Sequence, residues 1–483
     1  MIESVSKQGQ EFRGLAADSR DVRPGFLFAA IAGTKTDGAR YIADAVKRGA
    51  VAVLGKPDAA EAARALGVRF IADANPRRRL AKLAADFYRL QPDVIAAVTG
   101  TNGKTSATVF LRQIWSALGR KAASLGTIGI VSPSGEKSLT QTTPDPIGLH
   151  AELAQLKRDG ITHLAMEASS HGLDQFRLDG VRVKAAAFTN ITRDHFDYHP
   201  TQEHYLVTKL RLFESVLQSD GVAVVNADVP SAKDFAAAAK KRKLRLLMVG
   251  LKGKDLHLAS HDVDAHGQRL KLRYENRDYD VHFPLAGLFQ ASNALVAAAL
   301  ALGLGDTPEK VFAALEKLTG APGRLQLVAR AKSGAPIYVD YAHTPDALET
   351  VLVALRPHVK GKLYLVFGCG GDRDKGKRPL MGAAAKKYAD SVIVTDDNPR
   401  SEDPAAIRRE VMAGCPSTKE IGDRAEAIKT AITGLQAGDA LVIAGKGHEQ
   451  GQIIGNETRP FSDQDEAIKA AKSLGGAAAE EGA

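Results

Sequence analysis

An apolar run at residues 94–99 passes directly into Gly100-Thr-Asn-Gly-Lys-Thr105, and a helix-like stretch follows at residues 107–118. This order of strand, glycine turn and helix limits the fold more than any other segment. Short apolar runs followed by helix-like stretches recur at residues 163–167, 185–190 and 221–226, and again at 336–340, 362–367, 391–395 and 440–444. Short apolar strands bounded by Gly or Asp suit a parallel sheet covered on both faces. The expected class is therefore α/β.

The same loop carries chemistry. Its glycines let backbone N–H groups approach phosphates, Lys104 adds positive charge for the β- and γ-phosphates, and Thr105 offers a hydroxyl to Mg2+. The start of the following helix adds a favourable dipole. Val98 stands where the longer phosphate-loop pattern has its first glycine. The plainer reading is a glycine-containing turn between strand and helix. On its own the loop indicates only a nucleoside triphosphate.

At 483 residues the chain has room for about three domains. Residues 25–32 read as a strand, 41–48 as a helix and 50–54 as a strand, giving a small α/β block. Residues 255–283 alternate like a β-rich insert, 293–302 read as an Ala/Leu helix, and 320–324 as a second boundary. Lys plus Arg is 65 against 56 Asp plus Glu, a net charge of +9 that favours anionic ligands. The charges are dispersed, so nucleic acid is not an expected partner. Cys369 and Cys415 form no CxxC pair, which argues against a disulfide framework or zinc ribbon. No signal-like start and no membrane-length apolar run is present, so the expected setting is cytoplasmic.

The wording of the motifs is more specific than their spacing. Thr99-Gly-Thr-Asn-Gly-Lys-Thr-Ser106 resembles the ATP loop of the Mur ligase and folylpolyglutamate synthase superfamily. Met166-Glu-Ala-Ser-Ser-His171, Thr189-Asn190, Arg193-Asp-His195, Asn293, Gly323-Arg324, Asp340-Tyr-Ala-His-Thr-Pro345 and Gly445-Lys-Gly-His-Glu449 fall in the order of that family. Asp396-Asp-Asn-Pro-Arg-Ser-Glu-Asp-Pro404 is similar to members that add diaminopimelate to the muramoyl peptide; lysine-adding relatives lack the Arg. Ser106 and Ala168 depart from the commoner Thr and Val without removing a group the chemistry needs.

The resemblance implies a three-domain Mur ligase architecture: a UDP-substrate-binding domain at residues 1–88, a central ATP-binding domain with a P-loop-type parallel sheet at 89–321, and a Rossmann-like amino-acid-binding domain at 322–483. It also implies an ATP-dependent amide-bond ligase acting through an acyl phosphate, with ATP as co-substrate, two Mg2+ ions and CO2 held as a carbamate on Lys209. The implied catalytic groups are Lys104, Glu167, His195 and Lys209, with Thr105, Glu167, His195 and carbamylated Lys209 on the metals. From the residues alone, Glu167 could equally cap a strand end, His195 sit in a surface turn, and Lys209 be a solvated helix lysine.

For ATP the resemblance gives Gly100, Thr101, Asn102, Gly103, Lys104, Thr105 and Ser106, with Asn293, Arg324 and Asp340 at the base and ribose. Each of the last three is, taken singly, more often structural. For the UDP-muramoyl-dipeptide it gives Ala17, Ser19, Thr34, Lys35 and Thr36, then Gln141, Thr142, Thr143, Ser169, Gln175 and Arg177. Hydroxyls and an arginine suit diphosphate and carboxylate oxygens, although the threonine pair before Pro144 could be turn chemistry. For diaminopimelate it gives Arg373, Asp397, Asn398, Pro399, Arg400, Gly445 and Glu449. A guanidinium paired with the distal carboxylate would favour diaminopimelate over lysine. An Asn-Pro-Arg after a strand is otherwise an ordinary turn with its arginine in solvent. A monomer working on small-molecule substrates is expected. The rivals are a lysine-adding or folylpolyglutamate ligase, a P-loop switch or nucleic-acid-dependent ATPase, and a non-catalytic scaffold.

Overall fold

The structure, a computed structural model, describes residues 12–33, 36–192, 194, 198–264 and 267–479. The chain divides into two compact units, Met1–His257 with Leu295–Val311 and Leu258–Ala294 with Phe312–Ala483.

In the first unit, Gly14–Ala16, Phe26–Ala29, Ala52–Gly55 and Arg69–Ala72 form a parallel sheet. The strand expected at residues 25–32 ends at Ala29 because Ile31 turns back, its N–H donating to Ala29 O at 3.0 Å. Side chains alternate across this sheet. Phe28 and Val53 face Ile42, Ala45 and Ala63, while Leu27, Ala52 and Leu54 face Leu80, Leu83 and Ala84 of helix Pro76–Tyr88.

The larger sheet of this unit runs, in spatial order, through parallel strands Arg245–Gly250, Leu217–Asn226, Val183–Phe188, Val94–Thr99, His163–Glu167 and Ala122–Gly126. Gly129–Ser132 and Gly135–Lys137 extend it antiparallel. One face packs Ile95, Ala97, Leu164, Met166 and Phe188 against Leu149, Leu153 and Leu156 of helix Pro146–Arg158. Helix Lys104–Ala117 buries Phe110, Leu111, Ile114 and Trp115, and the indole N–H of Trp115 donates to Asp306 Oδ2 at 3.2 Å. Each such buried side chain contributes about 1.5–3 kcal/mol. The helix starts at Lys104, ahead of the expected residue 107, because Gly103 at φ 83 turns the chain directly into it.

In the second unit, Lys419–Glu420, Ser391–Val394, Leu363–Phe367, Ala440–Ala444 and Pro336–Asp340 lie parallel, and Gln326–Arg330 and Ala477–Ala478 close the edge antiparallel. Leu363, Leu365, Phe367 and Val442 meet Leu348, Leu352, Met381 and Val411 on one face. Val366, Leu441 and Ile443 meet Ile428, Ala431 and Ala471 on the other. Strands covered on both faces explain the continuous apolar runs of the sequence. The β-rich segment contains the hairpin Gly267–Tyr274 and Arg277–Phe283, turned at Glu275 and Asn276 with φ 47 and 60. Among the described residues no helix is long and apolar enough to cross a membrane.

Candidate active site

The central strand Val94–Thr99 has Val183–Phe188 on one side and His163–Glu167 on the other, and all three end at the same edge. Ligand-binding groups gather at the carboxyl ends of parallel strands because the loops there open a crevice. The loop after Val94–Thr99 is pinned to the loop after Val183–Phe188. Thr101 N–H donates to Asn190 O at 2.9 Å and Asn102 N–H to Asn190 Oδ1 at 3.0 Å. Thr189 Oγ1 donates to Asn102 O at 2.6 Å. A Cβ at residue 100 would lie 1.9 Å from Thr189 Oγ1, so only glycine permits this approach. Lys104 Nζ lies over the loop, donating to Gly100 O at 3.0 Å and Thr101 O at 2.8 Å.

Glu167 is the next fixed point. Its Oε1 accepts from Thr105 Oγ1 at 3.0 Å and from Thr127 N–H at 2.8 Å, and its Oε2 from Thr127 Oγ1 at 3.1 Å. The carboxylate is therefore buried but hydrogen-bonded on both oxygens. Thr127 carries no motif signature and was not singled out by sequence; its role follows from the turn after Ala122–Gly126.

Lys209 is not a solvated helix lysine. It lies on helix Gln202–Arg211 with a fully buried ammonium that donates to Gly100 O at 2.8 Å and sits 4.4 Å from the Tyr205 ring centroid. Burial pushes its pKa well below the usual lysine range, the Lys104 charge adds to the push, and Asp194 opposes it. A neutral buried amine is a nucleophile. His195 lies outside the described residues.

Several of the groups expected to hold the muramoyl substrate bond to one another in this unit. Arg177 donates to Gln141 Oε1, to Thr143 O at 2.5 Å and to Gln175 Oε1 at 2.7 Å. Thr143 Oγ1 donates to Glu167 O at 3.0 Å and accepts from Ser169 Oγ at 3.0 Å; Thr142 Oγ1 lies 3.1 Å from Thr127 Oγ1. Ser169 also caps helix Ser170–Asp174, its Oγ accepting from Gly172 N–H at 3.0 Å, and Thr143 is buried. Just after strand Gly14–Ala16 of the smaller sheet, Ala17 is exposed and Ser19, at the start of the short turn Ser19–Asp21, is buried. The Ser19 hydroxyl is the main cause that lowers the Asp44 pKa. Thr36 O accepts from Gly33 N–H at 2.8 Å, whereas Thr34 and Lys35 lie outside the described residues.

The second unit gathers the remaining candidates. Asp340 ends strand Pro336–Asp340 and accepts from Leu325 N–H at 2.6 Å and Ala342 N–H at 2.7 Å; burial raises its pKa, against the pull of Arg324. The Arg324 guanidinium lies 4.4 Å from the Tyr341 ring centroid, and Asn293 is buried on helix Leu288–Gly303. After Ser391–Val394 and Ala440–Ala444 comes a polar cluster built around Lys446, which the sequence quoted without a role. Its fully buried Nζ donates to Asn398 Oδ1 at 3.0 Å and Glu449 Oε2 at 3.1 Å, with Asp397 Oδ1 at 3.9 Å. Asn398 Nδ2 donates to Glu449 Oε2 at 2.9 Å. Burial raises the Asp397 pKa, while Arg424 and Lys446 lower it. A Cβ at residue 445 would lie 2.7 Å from Asp397 Oδ2. Pro399 is buried, and half-buried Arg400 donates to Gly371 O at 2.8 Å. Arg373 is exposed and donates to Asp372 O at 3.3 Å.

Comparison with known proteins adds three matching family models: "Mur ligase family, catalytic domain" at residues 11–88, "Mur ligase middle domain" at 98–301 and "Mur ligase, glutamate ligase domain" at 323–447. A UDP-N-acetylmuramoyl-L-alanyl-D-glutamate–2,6-diaminopimelate ligase of Bradyrhizobium diazoefficiens is 56% identical over 467 residues, covering 95% of this chain and 95% of that protein. The protein of the same name from Rhizobium meliloti is 54% identical, covering 96% and 95%. A solved structure of such a ligase superposes with TM-score 0.72 at 36% identity, covering 96% of this chain and 95% of that one.

Proposed function

The chain belongs to the Mur ligase family, and from that premise we infer that it is an ATP-dependent ligase adding 2,6-diaminopimelate to UDP-N-acetylmuramoyl-L-alanyl-D-glutamate in peptidoglycan precursor synthesis. The meso isomer is the substrate proposed. A carboxylate is a poor electrophile, so its oxygen first takes the γ-phosphoryl group of ATP and ADP departs. The amine of diaminopimelate then attacks the acyl carbon, and the tetrahedral intermediate expels phosphate and loses a proton. Catalysis of such a transfer is mostly positioning and charge neutralisation.

The observation that carries this reading is the meeting of Lys104, Thr105, Glu167 and Lys209 around one loop at the strand ends. Lys104 and the N–H groups at the start of its helix receive the β- and γ-phosphates. The Thr105 hydroxyl and Glu167 carboxylate, 3.0 Å apart, are hard oxygen donors suited to Mg2+. His195 is the further ligand carried over by resemblance. Bound Mg2+ ions would supply charge neutralisation on the phosphates. The depressed pKa of Lys209 favours the free amine, the form that condenses with CO2 to a carbamate and a proton. That carbamate turns a cation into an anion beside the loop.

The cluster of Asp397, Asn398, Gly445 and Glu449 supports a pocket for the distal ammonium, with Arg400 for the distal carboxylate. Arg324 and Asp340 are proposed at the nucleoside of ATP, with Asn293. Gln141, Thr142, Thr143, Ser169, Gln175 and Arg177 are proposed to hold the muramoyl substrate, with Ala17, Ser19 and residues 34–36 toward its uridine. The division at residues 1–88, 89–321 and 322–483 is the domain arrangement we propose. We propose that the protein works in the cytoplasm, where ATP and UDP-sugars are made, and as a monomer.

Phosphate release tests reaction and specificity together. With UDP-muramoyl-dipeptide, release should depend on meso-diaminopimelate and fall by roughly 10²-fold or more in kcat/KM with L-lysine, which leaves the carboxylate-binding groups unpaired. Equal release with both, or release without any amino acid, would contradict the reading.

A further inference from the structure

Arg400 holds a left-handed backbone conformation, and Asp372 on the facing loop does the same, with φ 52 and 53. At a non-glycine residue such a conformation persists only where the surroundings over-determine it. Those surroundings join the loop after Leu363–Phe367 to the loop after Ser391–Val394. Gly371 N–H donates to Asn398 O at 2.9 Å, and Arg400 Nη1 returns to Gly371 O at 2.8 Å. Ser401 donates to Asp372 twice, Oγ to Oδ1 at 2.6 Å and N–H to Oδ2 at 3.2 Å. Asp372 N–H donates to Glu402 Oε1 at 2.6 Å.

Beneath them lies Arg378, fully buried. It forks onto Glu402 Oε1 at 2.9 Å and Oε2 at 3.0 Å, and also donates to Gly370 O at 3.2 Å and Glu410 Oε2 at 2.8 Å. A Cβ at residue 371 would lie 1.9 Å from Pro399 O, so the two loops meet this closely only through glycine.

We propose that Asp372, Ser401, Glu402 and Arg378 form a brace that holds the Arg400 guanidinium in place for the distal carboxylate of the amino-acid substrate. They are positioning residues for specificity and touch no substrate themselves. A guanidinium selects a carboxylate through two parallel hydrogen bonds, and that fork discriminates only when its direction is fixed. An arginine on an unbraced turn would have to lose its rotamer freedom on each binding event. Arg378 is the buried anchor and the Asp372–Ser401 pair the exposed clasp, so the clasp can be opened without emptying the core.

The proposal rests on the pocket assignment above, and the test separates the two. Ser401→Ala and Asp372→Asn are each made alone and together with Arg400→Ala, and phosphate release is followed against diaminopimelate and against ATP. Each single variant should raise KM for diaminopimelate about 3–10-fold, with kcat and KM for ATP within about twofold. On the Arg400→Ala background neither should add a further rise. An unchanged KM for diaminopimelate overturns the brace, as does an equal rise with and without Arg400, or a general fall in kcat. Wild-type protein that ignores diaminopimelate would overturn the pocket assignment and the brace with it. If Asp372→Asn does not fold, the Ser401→Ala series decides alone.

Discussion

Lys209→Ala should lower the rate of phosphate release by about 10²-fold or more, with the fold intact, because it removes the group proposed to carry the carbamate charge beside the phosphate loop. The Lys209 ammonium is fully buried, bonded to Gly100 O at 2.8 Å, with the Lys104 charge disfavouring protonation further. Such an amine costs stability, so in buffer free of CO2 and bicarbonate, where no carbamate forms, Lys209→Met should raise the melting temperature by about 2–4 °C per kcal/mol recovered. The pH dependence has a definite sign. The unfolded chain keeps this proton up to the ordinary value of 10.5, whereas the folded chain releases it well below that. Between those values the unfolded state binds more protons, so wild-type stability rises with pH. The advantage of Lys209→Met should therefore shrink as pH approaches 10.5. Thermal melts across pH check the burial, and turnover in buffer stripped of CO2 and bicarbonate checks the carbamate. Undiminished turnover there would count against the modification.

Arg400→Ala should raise KM for diaminopimelate by about 10–100-fold, as expected for a hydrogen bond to a charged group, while KM for ATP stays within about twofold. The guanidinium is half-buried and oriented by Gly371 O and Asn398 O, so its direction is set before any ligand arrives. Neighbouring Asp397, Asn398 and Glu449 are drawn together by Lys446 rather than by Arg400, so a pocket for the ammonium end should survive the substitution. The variant should accordingly lose its preference over L-lysine more than its total activity. Steady-state kinetics with both amino acids measures this directly, and equal losses for ATP and diaminopimelate would contradict the assignment.

Much of this was legible in the chain because local signals and the fold agree. The strand at Val94–Thr99, the glycine loop and the helix behind it appear in order, since each is dictated by its own residues and no distant contact overrides them. Residue type alone left Lys209 open to being a solvated helix lysine, and its burial excludes that alternative; the pattern held a clue. Tyr205, Thr208 and Lys209 fall at helical spacing on one buried stripe. Arg378 and Arg424 were invisible for the opposite reason. A fully buried arginine needs carboxylates from elsewhere, here Glu402 and Glu410 for one and Asp463 for the other, and only the fold brings those together. Thr127 and Lys446 were missed because their contacts, with Glu167 and with Asn398 and Glu449, join separate strand ends. The motifs named candidate groups, and packing shows which other residues hold those side chains still.

In the proposed reaction a peptide carboxyl is phosphorylated by ATP before the amine attacks. The most direct measurement uses UDP-muramoyl-dipeptide carrying oxygen-18 in its glutamate carboxylates, with mass analysis of the released phosphate after diaminopimelate addition. Transfer of one labelled oxygen to phosphate in each turnover is the predicted result. Unlabelled phosphate accompanying amide formation, or label recovered in AMP, would contradict it.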